Sequence, residues 1–214
     1  MAEIGVASYV WDKPGCGRSG GEYDHQRPVA AAAAEVRSAI RFMKEQGVPG
    51  SKAIGFWGAS RAGWIVPLAI AAEPEGSIRF WISFSGTSAT DNFGYLLKEN
   101  LRIEGRSDEE IERLYREWMA GNEVTFAGGS YEEARSASPN LLADPFMKEF
   151  FPPPTEEEFL RYQEHVRASK PTFDAETGLL IHVEDFDEVL GGIDCPVLAI
   201  FGERDRNVDW RETL

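Results

Sequence analysis

The sequence has little cysteine, little histidine and no excess of basic residues, and each shortage excludes a class of function. Cys16 and Cys195 are the only cysteines among 214 residues. Two cysteines so far apart provide neither a disulfide framework nor a CxxC metal pair. No HxxxH or HExxH pair is present either, so we expect no metal site. The sequence therefore predicts a protein without a metal or other cofactor.

Charge and hydropathy disfavour two classes of partner. The net charge is −14, from 22 basic and 36 acidic residues. This charge argues against nucleic acid, because phosphate contacts need a basic surface, and against anionic membrane surfaces. The longest apolar stretch, residues 64–72, is interrupted by Pro67 and is too short to span a bilayer. The first residues lack the basic and apolar segments of a signal peptide, so we expect a cytoplasmic protein.

Apolar runs separated by helical stretches predict an α/β fold with a mostly parallel sheet and flanking helices. Strands are expected at residues 4–10, 53–57, 78–84 and 196–201, and helices from about 28 to 46 and from 61 to 72. This alternation is typical of α/β proteins, whose parallel strands are joined by right-handed crossovers. The last run, residues 196–201, contains no charge, which predicts a strand buried on both faces.

Residues 87–187 differ from the rest of the chain because they are charged, aromatic and helical in pattern. Two Ser/Thr-x-x-Glu patterns in this segment, beginning at Ser107 and Thr155, predict capping boxes at helix starts. We therefore interpret the segment as a helical lid, inserted between two portions of a core at residues 1–86 and 188–214.

The most specific motif is the sequence GASRA at residues 58–62. It follows the apolar run AIGFW and precedes an apolar helical stretch, which predicts a strand, a tight turn with Ser60 at its apex, and a helix. Strand and helix nearly touch at such a turn, so small residues are required there; Gly58, Ala62 and Gly63 meet this need. The turn exposes a nucleophilic hydroxyl to a substrate carbonyl. The alternative is a serine N-cap that opens an ordinary helix.

A second motif, GCGRSG at residues 15–20, matches the dinucleotide pattern GxGxxG. That pattern requires a helix that opens at the glycines, with its N-terminus at the pyrophosphate. Here the helix is expected to begin near Pro28, and Glu35, at about the spacing of the ribose-binding acid, falls inside the helix. We therefore interpret the motif as a loop, and a nucleotide-binding module is kept only as an alternative.

A catalytic serine usually works with an acid and a histidine base. Asp205 follows the last apolar run through Gly202, where a carboxylate could orient an imidazole; the alternative is an acid in a surface turn. The three histidines, His25, His165 and His182, all precede Asp205. In hydrolases with a serine at a strand–helix turn, the histidine follows the acid. None of the three is therefore predicted to be the general base, and His182 is expected at a packing position.

Three segments of the chain resemble the α/β-hydrolase superfamily, and within it bacterial serine esterases and acyl-peptidase-like hydrolases with a helical lid. YVWDKPGCGRS at 9–19 is similar to the family's exit from its fourth strand. IGFWGASRAGW at 54–64 resembles its nucleophile elbow, and CPVLAIFGERD at 195–205 resembles its seventh strand and acid turn. Their order and spacing agree with the family across nearly the whole chain.

The resemblance implies a serine hydrolase that acts on a small-molecule ester, thioester or amide. Ser60 Oγ would attack the carbonyl, Asp205 would hold the histidine that takes the proton, and the backbone N–H of Arg61 would contact the oxyanion. Aromatic side chains of the lid are expected either to line an acyl pocket or to pack the lid helices together; they include Trp118, Phe126, Phe150 and Phe151.

Two features of the family are not found in this sequence. Family members have three strands before the segment 4–10, the third with an oxyanion loop, and an eighth strand followed by the catalytic histidine. We therefore expect a piece of a longer hydrolase, truncated at both ends and weak or inactive alone. The alternative is a non-catalytic, vestigial or partner-completed fragment that self-associates through exposed sheet edges. If the chain folds alone, residues 4–10 are expected to pair directly with 53–57.

Overall fold

The structure is a computed structural model that describes residues 3, 5–24 and 27–213. The elements, in chain order, are α1 (Val29–Glu45), β1 (Ile54–Ala59), α2 (Ala62–Ala71), β2 (Ile78–Phe84), α3 (Phe93–Ile103), α4 (Asp108–Phe126), α5 (Tyr131–Ala137), α6 (Pro139–Ala143), α7 (Pro145–Phe150), α8 (Glu156–Ser169), β3 (Thr172–Phe173), β4 (Leu180–Ile181), α9 (Phe186–Gly191), β5 (Val197–Ile200) and α10 (Trp210–Thr213). Within these ranges, every helix is too short or too polar to cross a bilayer.

The fold is α/β, with a three-stranded parallel sheet flanked by helices, as the sequence predicts. β2 lies at the centre and pairs in parallel with β1 on one side and β5 on the other. The register places Ala59 beside Phe84 and Phe84 beside Ile200. The carboxyl ends of all three strands therefore meet at one edge of the sheet. β3 and β4 form a separate antiparallel hairpin.

α1 and α2 contribute the core on one face of the sheet. Ile40 of α1, together with Val66 and Ile70 of α2, is buried against the sheet. Their partners in β2 are Ile78 and Trp81. This core holds α2 against the sheet, and it thereby fixes the turn that joins β1 to α2.

The opposite face of the sheet is exposed. Side chains alternate along a strand, and paired residues of parallel strands share a face, so Trp57, Phe84, Leu198 and Ile200 lie on this side. Trp57 is 59% exposed, Leu198 55% and Ile200 37%. Val197, on the helix-covered face, is 47% exposed. The prediction that this last strand is buried on both faces is therefore wrong, because side chains on both faces of β5 remain partly exposed to solvent. Within the described ranges β5 is also an edge strand.

The strand predicted at residues 4–10 is not formed. Ile4 lies outside the described residues, and the others have neither strand structure nor pairing to β1. The indole N–H of Trp11 donates instead to Glu35 Oε1 of α1, at 2.7 Å. This contact ties the segment to a helix rather than to the sheet. The predicted direct pairing with residues 53–57 is therefore wrong, and β1 is the second edge strand of the described sheet.

The segment 87–187 is largely helical, as predicted, and it has a hydrophobic core of its own. The buried members of this core come from α3, α4, α6 and α7: Leu97, Leu101, Ile111, Leu114, Leu141, Phe146 and Met147. None of them belongs to the cluster that packs against β2. The division of the chain into a lid and two core portions stays a prediction.

Side-chain caps begin several lid helices. Thr155 and Glu158 form the complete capping box predicted for α8. At the start of α4 only half of the predicted box is formed, in which Ser107 Oγ accepts a hydrogen bond from Glu110 N at 3.3 Å. A further complete box, Ser130 with Glu133, begins α5 and was not predicted. These caps satisfy backbone N–H groups that the first turn of a helix leaves without partners.

Matched leucine substitutions test the contrast between the lid core and the sheet edge. Leu97 is completely buried, whereas Leu198 is 55% exposed. We expect Leu97→Ala to lower the free energy of unfolding by about 2–5 kcal/mol and Leu198→Ala to change it by less than about 0.5 kcal/mol. Urea denaturation monitored by circular dichroism measures both. A loss at Leu198 as large as that at Leu97 would show that β5 is covered in solution.

Candidate functional site

Ser60 lies at the turn between β1 and α2, and its backbone φ is +53°. This left-handed conformation is uncommon for a residue with a Cβ, and such strain concentrates at functional sites. The N–H of Ser60 donates to Phe84 O at 2.9 Å, and its carbonyl accepts from Gly63 N at 2.7 Å. The residue is exposed, and its side chain does not cap α2. The turn thus has the predicted form, and the serine N-cap alternative is not observed.

β1 and α2 touch at the small residues that flank this turn. A Cβ added to Gly58 would lie 2.5 Å from the Cβ of Ala62, which is far shorter than van der Waals contact. A Cβ added to Gly63 would lie 2.6 Å from Thr87 N and 2.8 Å from Gly86 Cα. The requirement for small residues at these three positions therefore has a steric cause.

Arg61 directly precedes α2, with φ −50° and ψ −22°. Its backbone N–H belongs to the N-terminal end of the helix, where amides favour negative charge. Its guanidinium donates to the backbone carbonyl of Arg27, and burial lowers the pKa of this guanidinium. The side chain therefore ties the segment before α1 to the turn. The oxyanion role of the backbone N–H stays a prediction.

Asp205 lies beyond β5, at the same edge of the sheet as Ser60. Its Oδ1 accepts from the backbone N–H groups of Asn207 and Val208, at 2.8 and 3.1 Å. The hydroxyl of Tyr95 in α3 donates to the carbonyl of Asp205 at 2.7 Å. These contacts are those of an acid that closes a turn, the alternative raised by the sequence. No hydrogen bond or ion pair joins this carboxylate to a histidine in the part of the chain that the structure describes.

The histidines do not complete a triad with the serine. His25 lies outside the described residues. His182 stacks on Trp64 of α2, with ring centroids 4.1 Å apart, and its Nε2 lies 3.5 Å from Asp91 Oδ2. His165 is half-buried on α8. Neither of the two described histidines bonds to the serine, and the prediction that His182 occupies a packing position is confirmed.

Two site features were missed by the sequence analysis. The carboxylate of Asp91 lies 3.5 Å from His182 Nε2. Burial, and to a lesser extent the negative charge of Asp91, raises the pKa of Tyr162 to about 12. These three side chains come from segments far apart in sequence, so no spacing pattern could have indicated them. Ser85, at the end of β2, has a φ of +44°. The adjacent strands β1 and β2 are therefore each followed by a serine with a left-handed backbone. The apolar run before each serine was the sequence signal that could have indicated this feature.

The aromatic side chains of the segment 87–187 have different surroundings, and the acyl-pocket role stays a prediction. Trp118 and Phe151 line a cavity of about 240 Å³ among the lid helices. Phe126 packs against other aromatic rings of the lid, and Phe150 is 58% exposed. The cavity wall contains no residue of β1, α2 or the turn between them, so this cavity does not include Ser60.

The glycine-rich loop at residues 15–20 folds around an aspartate rather than opening a helix. Asp12 Oδ2 accepts from Arg18 N at 2.9 Å, and Ser19 Oγ donates to Asp12 O at 2.7 Å. α1 begins only at Val29, as predicted, so no helix N-terminus meets the glycines. In the described ranges, no group of three or more His, Cys, Asp or Glu side chains is placed to hold a metal ion.

No protein-family model and no curated protein matches this sequence. The similarity to the α/β-hydrolases therefore rests on the motifs and their geometry alone.

Removal of the Cβ at residue 60 tests the strain in the turn. We expect Ser60→Gly to raise the free energy of unfolding by about 0.5–1 kcal/mol, because relief of left-handed strain of about 1–2 kcal/mol exceeds the entropic cost of glycine. Ser38, an exposed serine in the middle of α1, is the control; Ser38→Gly is expected to lower stability by about 0.5–1 kcal/mol. Denaturant titration measures both, and a loss of stability in Ser60→Gly would contradict a strained turn.

Proposed function

We propose that this chain is a serine hydrolase of the α/β-hydrolase type, acting on an ester, thioester or amide by acyl transfer. The supporting observation is the exposed Ser60, with φ of +53°, at a strand–helix turn that Gly58 and Ala62 hold closed. Such a turn presents a serine hydroxyl beyond the carboxyl edge of a parallel sheet, where ligands of α/β proteins bind.

In the proposed reaction, Ser60 Oγ attacks the carbonyl carbon while its proton passes to a base. The backbone N–H of Arg61 donates to the developing oxyanion, and the N-terminal end of α2 adds a favourable potential. Collapse of the tetrahedral intermediate expels the alcohol, thiol or amine, which takes up the proton. Water then hydrolyses the acyl-enzyme and regenerates the serine. Asp205 would orient the histidine base.

The described residues place no histidine base beside Ser60. His165 and His182, the described histidines, form no hydrogen bond or ion pair with Ser60 or Asp205. Removal of the base from a serine protease triad lowers kcat by about 10⁶-fold, or roughly 8 kcal/mol of barrier. We therefore expect this chain by itself to hydrolyse substrates slowly.

Ester hydrolysis with matched serine variants tests the nucleophile. We expect turnover of a p-nitrophenyl ester well below the roughly 10 s⁻¹ that is typical of enzymes. Ser60→Ala should abolish it, whereas Ser38→Ala, at an exposed serine of α1, should leave it unchanged. Covalent labelling by a fluorophosphonate, read by peptide mass spectrometry, identifies the reacting residue independently.

Two results would contradict parts of this proposal. Turnover that survives Ser60→Ala would exclude Ser60 as the nucleophile. Fast turnover that Ser60→Ala abolishes would support the nucleophile but show that an effective base is present.

The exposed face of the sheet favours a second candidate function. Trp57, Leu198 and Ile200 place apolar side chains on this face, on both edge strands. Contiguous exposed apolar surface marks interaction sites, and an unpaired strand edge is a template for another chain. We infer as the alternative a non-catalytic hydrolase fragment that a partner completes, with self-association through these edges.

Self-association is tested by size-exclusion chromatography with light scattering. We expect a molar mass that rises with concentration, because association buries the exposed apolar side chains. Leu198→Lys should weaken association, whereas Leu160→Lys should not. Leu160 is 49% exposed on α8, away from the sheet, and is a matched control. A stable monomer at all concentrations would count against partner completion.

A further inference from the structure

An apolar cavity lies within the helical segment, apart from the turn that carries Ser60. Its walls come from α3 to α8, and its volume is about 240 Å³. The apolar walls are Phe93, Trp118, Leu141, Met147, Phe151 and Phe159, all buried or half-buried. Small-molecule sites typically measure about 300–1,000 Å³. The cavity is close to the lower limit of this range, so it suits a small ligand with a hydrocarbon body.

Two polar side chains on the wall have hydrogen-bonding capacity that neighbouring residues do not use. The amide of Asn122 in α4 has no hydrogen-bond partner among the described residues. By contrast, the hydroxyls of Thr125 and Ser138, which also line the cavity, donate to backbone carbonyls. Asn122 is therefore available to a ligand, and the two hydroxyls are already satisfied.

The second polar side chain is Arg135 in α5, which marks the mouth of the cavity because it is both exposed and part of the wall. Its Nη1 donates to the hydroxyl of Tyr131 at 3.0 Å, and that hydroxyl donates to Pro154 O at 2.9 Å. This chain of contacts orients the guanidinium at the rim. Arg135 forms no ion pair in the described ranges, and a guanidinium has further N–H donors to offer.

We propose that this cavity binds a small apolar monocarboxylate, with its hydrocarbon part among the aromatic rings and its carboxylate at the mouth against Arg135. Charge complementarity selects this class, because a guanidinium pairs with a carboxylate through two parallel hydrogen bonds. The net charge of −14 opposes anions at long range. Salt screens that field within about 8 Å at physiological ionic strength, so the charges near the mouth, Arg135 and its neighbour Glu132, set the local preference.

Isothermal titration of the full chain with decanoate and with decanol tests the proposal. We expect decanoate to bind at one site and decanol to bind more weakly. Arg135→Gln should weaken decanoate binding by about two- to fivefold, as expected for loss of a solvent-exposed ion pair. Arg113→Gln, at an exposed arginine of α4, makes the same change in net charge and should have no effect. Ser60→Ala should also leave binding unchanged.

The location is tested by filling the cavity. Ala134→Leu, on the cavity wall, should weaken the binding of both ligands, whereas Ala137→Leu, in the same helix but not on the wall, should not. A second measurement does not depend on a substitution that fills the cavity. Bound 10-bromodecanoate should quench the fluorescence of Trp118 on the cavity wall, and this quenching should be lost in Trp118→Phe.

Three outcomes would overturn the proposal. The first is no decanoate binding by the unaltered chain. The second is binding that Ala134→Leu does not weaken, together with quenching that persists in Trp118→Phe, which would place the ligand elsewhere. The third is equal affinity for decanoate and decanol that Arg135→Gln does not change, which would show that the carboxylate does not contribute to binding.

Discussion

Gly58 and Ala62 face each other across the narrowest contact between β1 and α2, where a Cβ on the glycine would lie 2.5 Å from that of the alanine. A larger side chain at either position would push the helix away from the sheet. Val66 and Ile70 of the same helix would then lose their packing on β2. The chain must also reverse within the two residues between β1 and α2, which explains the left-handed backbone of Ser60. Core packing and the exposure of the hydroxyl thus follow from a single steric constraint.

The two faces of the sheet differ, and the two candidate functions use different parts of it. The hydrolase proposal needs only the carboxyl edge, where Ser60 and Asp205 follow their strands. The partner-completed alternative needs the exposed face and the β1 and β5 edges. An uncharged strand such as β5 has the composition of a buried strand, but composition cannot determine whether a neighbour covers it. Because the two surfaces are distinct, evidence for one function does not exclude the other.

Features set by neighbouring residues were predictable, whereas features set by distant contacts were not. Thr155 caps α8 as predicted, because a cap depends only on adjacent residues. β2 occupies Ile78–Phe84 as predicted, and it is a strand because β1 and β5 pair with it. The strand at 4–10 was not predictable in this way, since a strand exists only with a partner and Trp11 is drawn to α1 instead. The contact of Asp91 with His182 joins two loop segments through tertiary packing, and nothing in their local sequence indicates it.

The serine and the acid are held by different parts of the molecule. Ser60 is fixed by the core between α2 and the sheet, whereas the turn of Asp205 is bonded to the helical segment, through the Tyr95 hydroxyl of α3. That segment packs around its own core rather than around the sheet. The acid turn is also attached to the sheet, since it follows β5 and Asp205 N donates to Gly202 O at 3.0 Å. The proposed alignment of Ser60 with Asp205 therefore depends on α3 as well as on β5.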